Sequence, residues 1–298
     1  MNNYDKNSIK TLSPRESIRE SIGMYIGGSD SNGRHQLFTE AIANSIDEAV
    51  AGYGKVITVD INTSSNQLSI QDCGRGVPFG INKEGKDAII EATCNLHGGG
   101  KFVGQEGYKS SLGLHGLGLK CIHYLSSKFH IRSCRDKEGV CDLSFDENDK
   151  QSGPIVVKKT APCGTLVEFI PDQRIFGPLK WNKDVIADRR QTYALLNNNI
   201  TFVLTVNGTK YKSFVYTDGI KDLLAIKVGS RKCITDATFH KCDVVDDDGA
   251  HAHFEFGLIY TDQGTENEYC YANGGETPNG GTYLTGFKSA YTALINKL

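Results

Sequence analysis

Between Phe129 and Ile170 four short stretches alternate apolar and polar residues with no helical pattern between them: Phe129 to Ser133, Val140 to Phe145, Ile155 to Lys158 and Thr165 to Ile170. Period-two alternation places one half-buried strand after another, and strands joined without crossover helices pair antiparallel. A doubly wound parallel sheet is excluded. Helical patterns stand before and after this meander. A short helix is expected to open at Ser13-Pro14, with Arg15 and Glu16 in its first turn, and to end at Gly23 and Gly27. A long helix follows from about Gly33 to Ala51, then a hairpin from Lys55 to Asp72 with its turn near Ser64 to Gln67, and a helix from about Lys86 to Leu96. Leu119 to Leu125 and Asn182 to Asn197 read as further helices, and Ile200 to Tyr216 as a last pair of strands. The expected class is α+β: a two-layer α/β sandwich with helices on one face of a mixed sheet. After Asp218-Gly219 a new helix, strands and a final helix from about Gly281 suggest part of a second α/β unit, which divides the chain into 1–217 and 218–298.

Charge and composition narrow the function. Lys and Arg number 33 against 35 Asp and Glu, so no sequence-independent grip on a nucleic-acid backbone is implied and any polyanion must be held locally. No apolar run approaches 20 residues and the N-terminus is polar, so neither a membrane span nor a secretory signal is expected and the chain reads as cytoplasmic. Nine cysteines without a Cys-x-x-Cys pair read as reduced thiols. The informative excess is glycine, 33 residues in 298, many of them concentrated in a few short segments.

At about 100° per residue, with Glu40 at zero, Asn44 falls near 40° and Asp47 near −20°, while Phe38, Ile42, Ile46 and Ala49 cluster opposite. That is the pattern of a solvated helix face. It is equally a stripe on which a carboxylate takes a proton from water and an amide oxygen one turn on holds a divalent cation. Asp72-Cys73-Gly74-Arg75-Gly76-Val77-Pro78 follows directly on the strand Leu68 to Gln71. Glycines let backbone approach a planar ligand, the carboxylate can accept from an exocyclic amine, and Arg75 can stack over the same ring; an ordinary turn has similar residues. Gly98-Gly99-Gly100-Lys101 and Gly113-Leu114-His115-Gly116-Leu117-Gly118, leading into an apolar helix, offer unhindered N–H groups to an anion such as phosphate. A Rossmann fingerprint lacks its βαβ unit here, and no Walker sequence is present. Gly164-Thr165 opens a strand, where the Thr hydroxyl could reach Asp72 or a purine edge.

In this order, Glu40-x-x-x-Asn44, Asp72-x-Gly74-x-Gly76, Gly113 to Gly118 and Gly164-Thr165 resemble the nucleotide motifs of the GHKL ATPases. Gly23 to Gly27, Asn44 to Ala49, Gly98 to Phe102, Leu114-His115-Gly116 and Gly280 to Phe287 narrow the resemblance to the ATPase region of type IIA topoisomerases, of the kind found in gyrase B and in the E-type chain of topoisomerase IV. The resemblance implies a Bergerat-type sandwich followed by part of a transducer domain, with ATP and Mg2+ as ligands. It makes Glu40 the general base, supported by Gln36, and Asn44 the metal ligand. Asp72 is implied to bind the adenine amine with Thr165, with Gly76 and Pro78 near the base, and Arg75 to pair with Glu48 or Asp47 while covering the adenine. Tyr108 is implied to contact the nucleoside. Gly100, Lys101, Gly113, Leu114, His115, Gly116, Leu117 and Gly118 are implied to hold the phosphates. Arg135, with Asp72 and Thr165, corresponds to the mouth that contacts aminocoumarin inhibitors. The polar arm carrying Tyr4 and Ile9 is implied to reach a second copy of the chain, making an ATP-dependent homodimer.

Some positions depart from the family. Gln36 stands where a second His is common, and a Gln cannot become cationic, so slower hydrolysis is expected; Leu112 stands where a glycine precedes Gly113. The chain stops inside the expected transducer, so a DNA-cleaving partner of the gyrase A type and DNA are expected to engage regions outside this sequence. The leading expectation is ATP binding and hydrolysis driving dimer-gate closure, and the alternative is a non-hydrolysing ATP-dependent dimerisation module of the same fold.

Overall fold

The first described helix opens at Ser13 with a reciprocal cap. Its hydroxyl accepts from Glu16 N, and the Glu16 carboxylate accepts from Ser13 N at 2.8 Å, with Pro14 at the first helical position. The computed structural model describes residues 12–96, 116–158, 161–245, 249, 251–272, 275–277 and 279–297. Helix α1 (Pro14–Glu20) gives way to α2 (Ile22–Ile26) and the long α3 (Ser31–Val50). The single helix expected across this region is thus two: the break comes at Ser21, Gly23 lies inside α2, and Gly27 closes it in the left-handed conformation, φ 81°. Asp30 caps α3 by accepting from Gly33 N at 2.9 Å.

Strands β1 (Val56–Asn62) and β2 (Gln67–Gln71) form the expected hairpin; α4 (Ala88–Thr93), capped by Asp87, is shorter than its sequence pattern; α5 (Gly118–Tyr124) follows. Next come β3 (Ser126–Arg135), β4 (Gly139–Phe145), β5 (Gln151–Val157), β6 (Gly164–Pro171), α6 (Gln173–Phe176), α7 (Lys183–Leu196), β7 (Thr201–Val206) and β8 (Thr209–Phe214). Among the described residues these strands make one eight-stranded sheet in the order β5-β4-β3-β6-β2-β1-β7-β8. The sheet is mixed because β1 runs parallel to β7 while β1–β2, β2–β6, β3–β6, β3–β4 and β4–β5 are antiparallel. Strand β5 starts four residues before its expected position, running through Gly153-Pro154, which an edge strand tolerates.

Helices α3 and α5 cover one face; Phe38, Ile42 and Ile46 of α3 and Val59, Ile70, Ile131 and Phe169 of the sheet are almost wholly buried, and Val167 nearly so. The other face is half-buried and polar. His130 there bridges three strands, its Nδ1 3.0 Å from Glu168 Oε2 and its Nε2 2.9 Å from Asp142 Oδ1. Ser69 and Gln67 on β2 donate to Glu168, and Arg132 donates to Asp142, extending the row across β2, β6, β3 and β4. Glu168, foremost, raises the pKa of His130 above its ordinary value; His130 in turn lowers that of Glu168. Against partial burial, Arg132 and His130 lower that of Asp142.

The signs fix a pH optimum for this row. Stability from the imidazolium is fully present below the ordinary histidine value of about 6.5 and is lost as pH rises through the raised folded value. Stability from the two carboxylates is present above their ordinary values, about 4, and is lost as pH falls through the lowered folded values. His130→Gln should therefore lower the Tm most between about pH 4.5 and 6.5, with the deficit shrinking above that window. Thermal unfolding of both chains across pH 4 to 9 checks this, and a pH-independent deficit contradicts it.

Contacts divide the described residues into two units. One runs to Asp188 and includes Thr201–Ser213; the other comprises Arg189–Ile200 and the residues from Phe214 onward. The second contains α8 (Ile220–Val228), the antiparallel pair β9 (Thr238–Val245) and β10 (His251–Leu258), the short pair β11 (Tyr271–Ala272) and β12 (Gly275–Glu276), and α9 (Thr282–Ile295). In it Phe287 packs on Phe256, ring centroids 4.9 Å apart. Among the described residues no helix is long and apolar enough to cross a membrane.

Candidate functional site

Helix α3 is buried round most of its circumference, yet Gln36, Glu40, Asn44 and Glu48 form a half-exposed row with a spacing of four residues. Each step of four advances about 40° round the helix, so the row leans to one side as it climbs. Asp47 lies off that lean and is 3 % exposed. Glu40 and Asn44 are thus on the polar row that the angular count placed them on, whereas Asp47 is buried and Glu48 takes the neighbouring place on the row.

Gln36 Nε2 donates to Glu40 Oε1 at 3.1 Å, the contact that a glutamine can supply without charge. The Asn44 side-chain Nδ2 donates to the Glu40 carbonyl at 3.2 Å, which orients the amide. Opposite stands the start of α5. A Cβ at Gly118 would lie 2.8 Å from Glu40 Oε2, so the absence of a side chain is what lets this backbone reach the carboxylate. Gly116 turns the chain there with φ 60°, and Leu117 occupies the helix N-cap. Burial, then the Glu40 charge, pushes the Cys121 thiol up to about 12, which marks Cys121 as a neutral neighbour.

Strand β2 leads into a buried carboxylate. Asp72 is 4 % exposed; its Oδ1 accepts from Gly74 N at 2.9 Å and Thr165 N at 3.0 Å, and its Oδ2 from Ser45 Oγ at 2.9 Å. Burial raises its pKa, against the lowering effect of those donors. Thr165 reaches Asp72 through its backbone N–H, rather than the hydroxyl the sequence suggested. The reason is the strand ladder: Asp72 N donates to Thr165 O at 3.0 Å, which continues the β2–β6 pairing past Gln71 and Leu166. Gly164 permits the join, since a Cβ there would lie 2.2 Å from Asp72 O.

Arg75 settles the choice between two acids. It pairs with Glu48, Nη2 to Oε1 at 2.8 Å and Nε to Oε2 at 3.1 Å, with its own backbone N also on Oε2. Gly76 carries φ 80° and packs so tightly that a Cβ would meet Cys134 O at 2.5 Å. Arg135 Nη1 donates to Gly76 O at 2.7 Å and its Nε to Glu138, while Ser133 Oγ donates to Val77 O, tying the loop to β3; Pro78 beyond it is exposed. A cavity of about 420 Å3 opens beside this loop, lined in part by Tyr53, Cys73, Arg75 and Arg135.

The site as described therefore joins Gln36, Glu40 and Asn44 on α3 to Gly118 on α5, and Asp72 to Thr165, with Arg75 and Gly76 on the adjoining loop and Arg135 at the end of β3. Tyr4, Ile9, Gly100, Lys101, Tyr108, Leu112, Gly113, Leu114 and His115 lie outside the described residues. Ser45 was missed as a partner of Asp72: at about 140° from Glu40 it falls beside Phe38 at the margin of the apolar face, where the angular count looked for packing and not for a polar role. Tyr53 was missed as well, its only sequence signal being the glycines on either side.

Residues 29–173 match the family described as histidine kinase-, DNA gyrase B-, and HSP90-like ATPases, and residues 219–298 match that described as DNA gyrase B. The B subunit of DNA topoisomerase 4 from Mycoplasma capricolum is 35% identical over 295 residues, 98% of this chain and 45% of that protein. Its counterpart in Staphylococcus aureus is 37% identical over 301 residues, 99% of this chain and 44% of that protein. The chain thus spans somewhat less than half the length of these relatives. Among solved structures, the 43K ATPase domain of Thermus thermophilus gyrase B, in complex with an aminocoumarin, superimposes with a TM-score of 0.76 at 27% identity, covering 96% of this chain and 73% of that one.

Proposed function

Since this chain belongs to the GHKL ATPases of the type IIA topoisomerase family, on the gyrase B side of that family, we propose that it binds and hydrolyses ATP and that the nucleotide drives closure of a dimer gate. One observation carries the reading. A half-exposed carboxylate and amide one turn apart, Glu40 and Asn44, lie on the same helix as Ser45, which holds the buried Asp72. That supplies a proton acceptor, a cation ligand and an acceptor for a base amine within one site.

In this reading Asp72 accepts from the adenine amine, Thr165 and Gly76 border the base, Arg75 covers it, and Pro78 and Arg135 stand at the mouth. Glu40 takes the proton of the attacking water, and Gln36 steadies its carboxylate. Gly116, Leu117 and Gly118 bring unhindered backbone to the phosphates, together with Gly100, Lys101, Gly113, Leu114 and His115; Tyr108 contacts the nucleoside. Magnesium fits the donors present. Asn44 offers an amide oxygen one turn from Glu40, a hard ligand of the kind such an ion takes, and would be the residue that holds it. When bound, the ion neutralises phosphate charge.

Residues 1–217 are assigned to the ATPase domain and 218–298 to part of a transducer domain. Tyr4 and Ile9 belong to an arm that reaches the second copy in the ATP-bound homodimer. Strand passage, with a DNA-cleaving partner of the gyrase A type and DNA, is assigned to the longer protein that the relatives exemplify. The test is direct: magnesium-ATP titrated into the chain in a calorimeter gives saturable binding, and phosphate release is linear in time. A titration without heat or a shift in Tm overturns the proposal, and binding without phosphate release restores the non-hydrolysing module.

A further inference from the structure

Helix α3 ends in Ala51, and the next residues, Gly52-Tyr53-Gly54, turn back beneath the Asp72 loop. Both glycines are required there. Gly52 has φ 93° and Gly54 φ 73°, and a Cβ at Gly54 would lie 2.2 Å from Cys73 O. Tyr53 N donates to Glu48 O at 2.9 Å, which anchors the turn to the last coil of α3. The ring then lies against Arg75, whose Cζ is 4.0 Å from its centroid.

A guanidinium is a plate with one rim and two faces. Glu48 takes the rim of Arg75 through two side-chain contacts, at 3.1 and 2.8 Å, and Tyr53 takes one face. We infer that Tyr53 is a positioning residue for the nucleotide base: it backs the Arg75 guanidinium so that the opposite face meets the plane of the base anchored by Asp72. This inference rests on the nucleotide reading above. The carboxylate fork fixes the edge of the plate, and the aromatic ring against its face restrains tilt about that edge. Tyr53 is 45 % exposed, so its ring is not holding a core together. The expected product is a stack of phenol ring, guanidinium and purine, with the cation between two π faces.

Tyr53→Ala and Tyr53→Phe, made in the full chain, test it by calorimetric ATP titration and steady-state phosphate release. Tyr53→Ala should weaken ATP binding about two- to fivefold, the range for a partly exposed cation–π contact, and raise KM alike while kcat stays within about twofold. Tyr53→Phe keeps the ring and should restore both values. In an Arg75→Ala background the alanine substitution at 53 should add nothing, because its effect passes through the guanidinium. Unfolding midpoints show that each variant folds. Wild-type affinity in Tyr53→Ala, an equal loss in both backgrounds, or a phenylalanine variant as weak as the alanine one overturns the inference while leaving the ATPase assignment in place. A parent chain that binds no ATP sinks both.

Discussion

Glu40→Ala should leave ATP affinity within about twofold and remove turnover, with kcat falling by about 10²- to 10⁴-fold, the usual contribution of a positioned general base. The asymmetry follows from where the carboxylate sits. Its Oε1 is held by Gln36 and its Oε2 faces the backbone at Gly118, the backbone that the proposal gives to the phosphates, whereas Ser45 and Asp72, proposed to hold the base, lie beyond Asn44 along α3. Binding contacts to base and phosphates survive the truncation, while the proton acceptor for water is gone, which is the signature of an interaction made in the chemical step. Alanine is also the best helix former, and Glu40 is half-exposed, so α3 is not expected to suffer. Phosphate release under saturating magnesium-ATP, read beside an equilibrium titration, separates the two quantities. Undiminished turnover in this variant would take the general-base role away from Glu40.

Local signals were readable wherever the chain settles its own conformation. The Ser13 to Glu16 cap, the hairpin β1–β2 and the alternation of β3, β4 and β6 are short-range patterns, and the structure follows them. Gly23 misled because glycine ends helices most often as a left-handed cap, yet here Gly27 performs that task and Gly23 is carried inside the next helix. The parallel pairing of β1 with β7 joins Val56 to Thr201 across most of the domain, and no window of sequence contains it. Within the candidate site, residue types at fixed spacing singled out Glu40, Asn44, Asp72 and Arg75 for the proposed roles, because one helix or one turn displays each group. Partners contributed from elsewhere were legible chiefly through the family resemblance, which offered Glu48 or Asp47 to Arg75 and Thr165 to Asp72 without fixing the acid or the atom. The angular count set Asp47 beside Glu40; Asp47 is almost wholly buried there, and it is Glu48 that meets Arg75. Thr165 likewise meets Asp72 through an amide, since strand pairing, invisible in the residue type, decides which atom arrives.

Asp72→Asn should weaken ATP binding by about 10- to 100-fold while the fold is kept or slightly strengthened. A hydrogen bond to a charged acceptor is worth about 1.5–3 kcal/mol, and each 1.4 kcal/mol is about tenfold in affinity. Asparagine keeps one oxygen, which can retain the donors Gly74 N and Thr165 N on Oδ1, and turns the other position into a donor toward Ser45, whose hydroxyl can accept as well as give. Toward the adenine amine, however, a donor now faces a donor. Stability moves the opposite way. Burial raises the folded pKa of Asp72, so the unfolded chain ionises first and the native state loses stability as pH rises from the unfolded to the folded value; the neutral amide escapes that loss. For the same reason wild-type affinity should fall as pH drops through the folded value, because protonation removes the acceptor, whereas the asparagine variant should be flat over that range. Calorimetric titrations from pH 5 to 8, with Tm recorded for both chains, give the comparison. Equal ATP affinity at an unchanged Tm would remove Asp72 from the base, since the only difference between the two side chains is the one the amine is proposed to read.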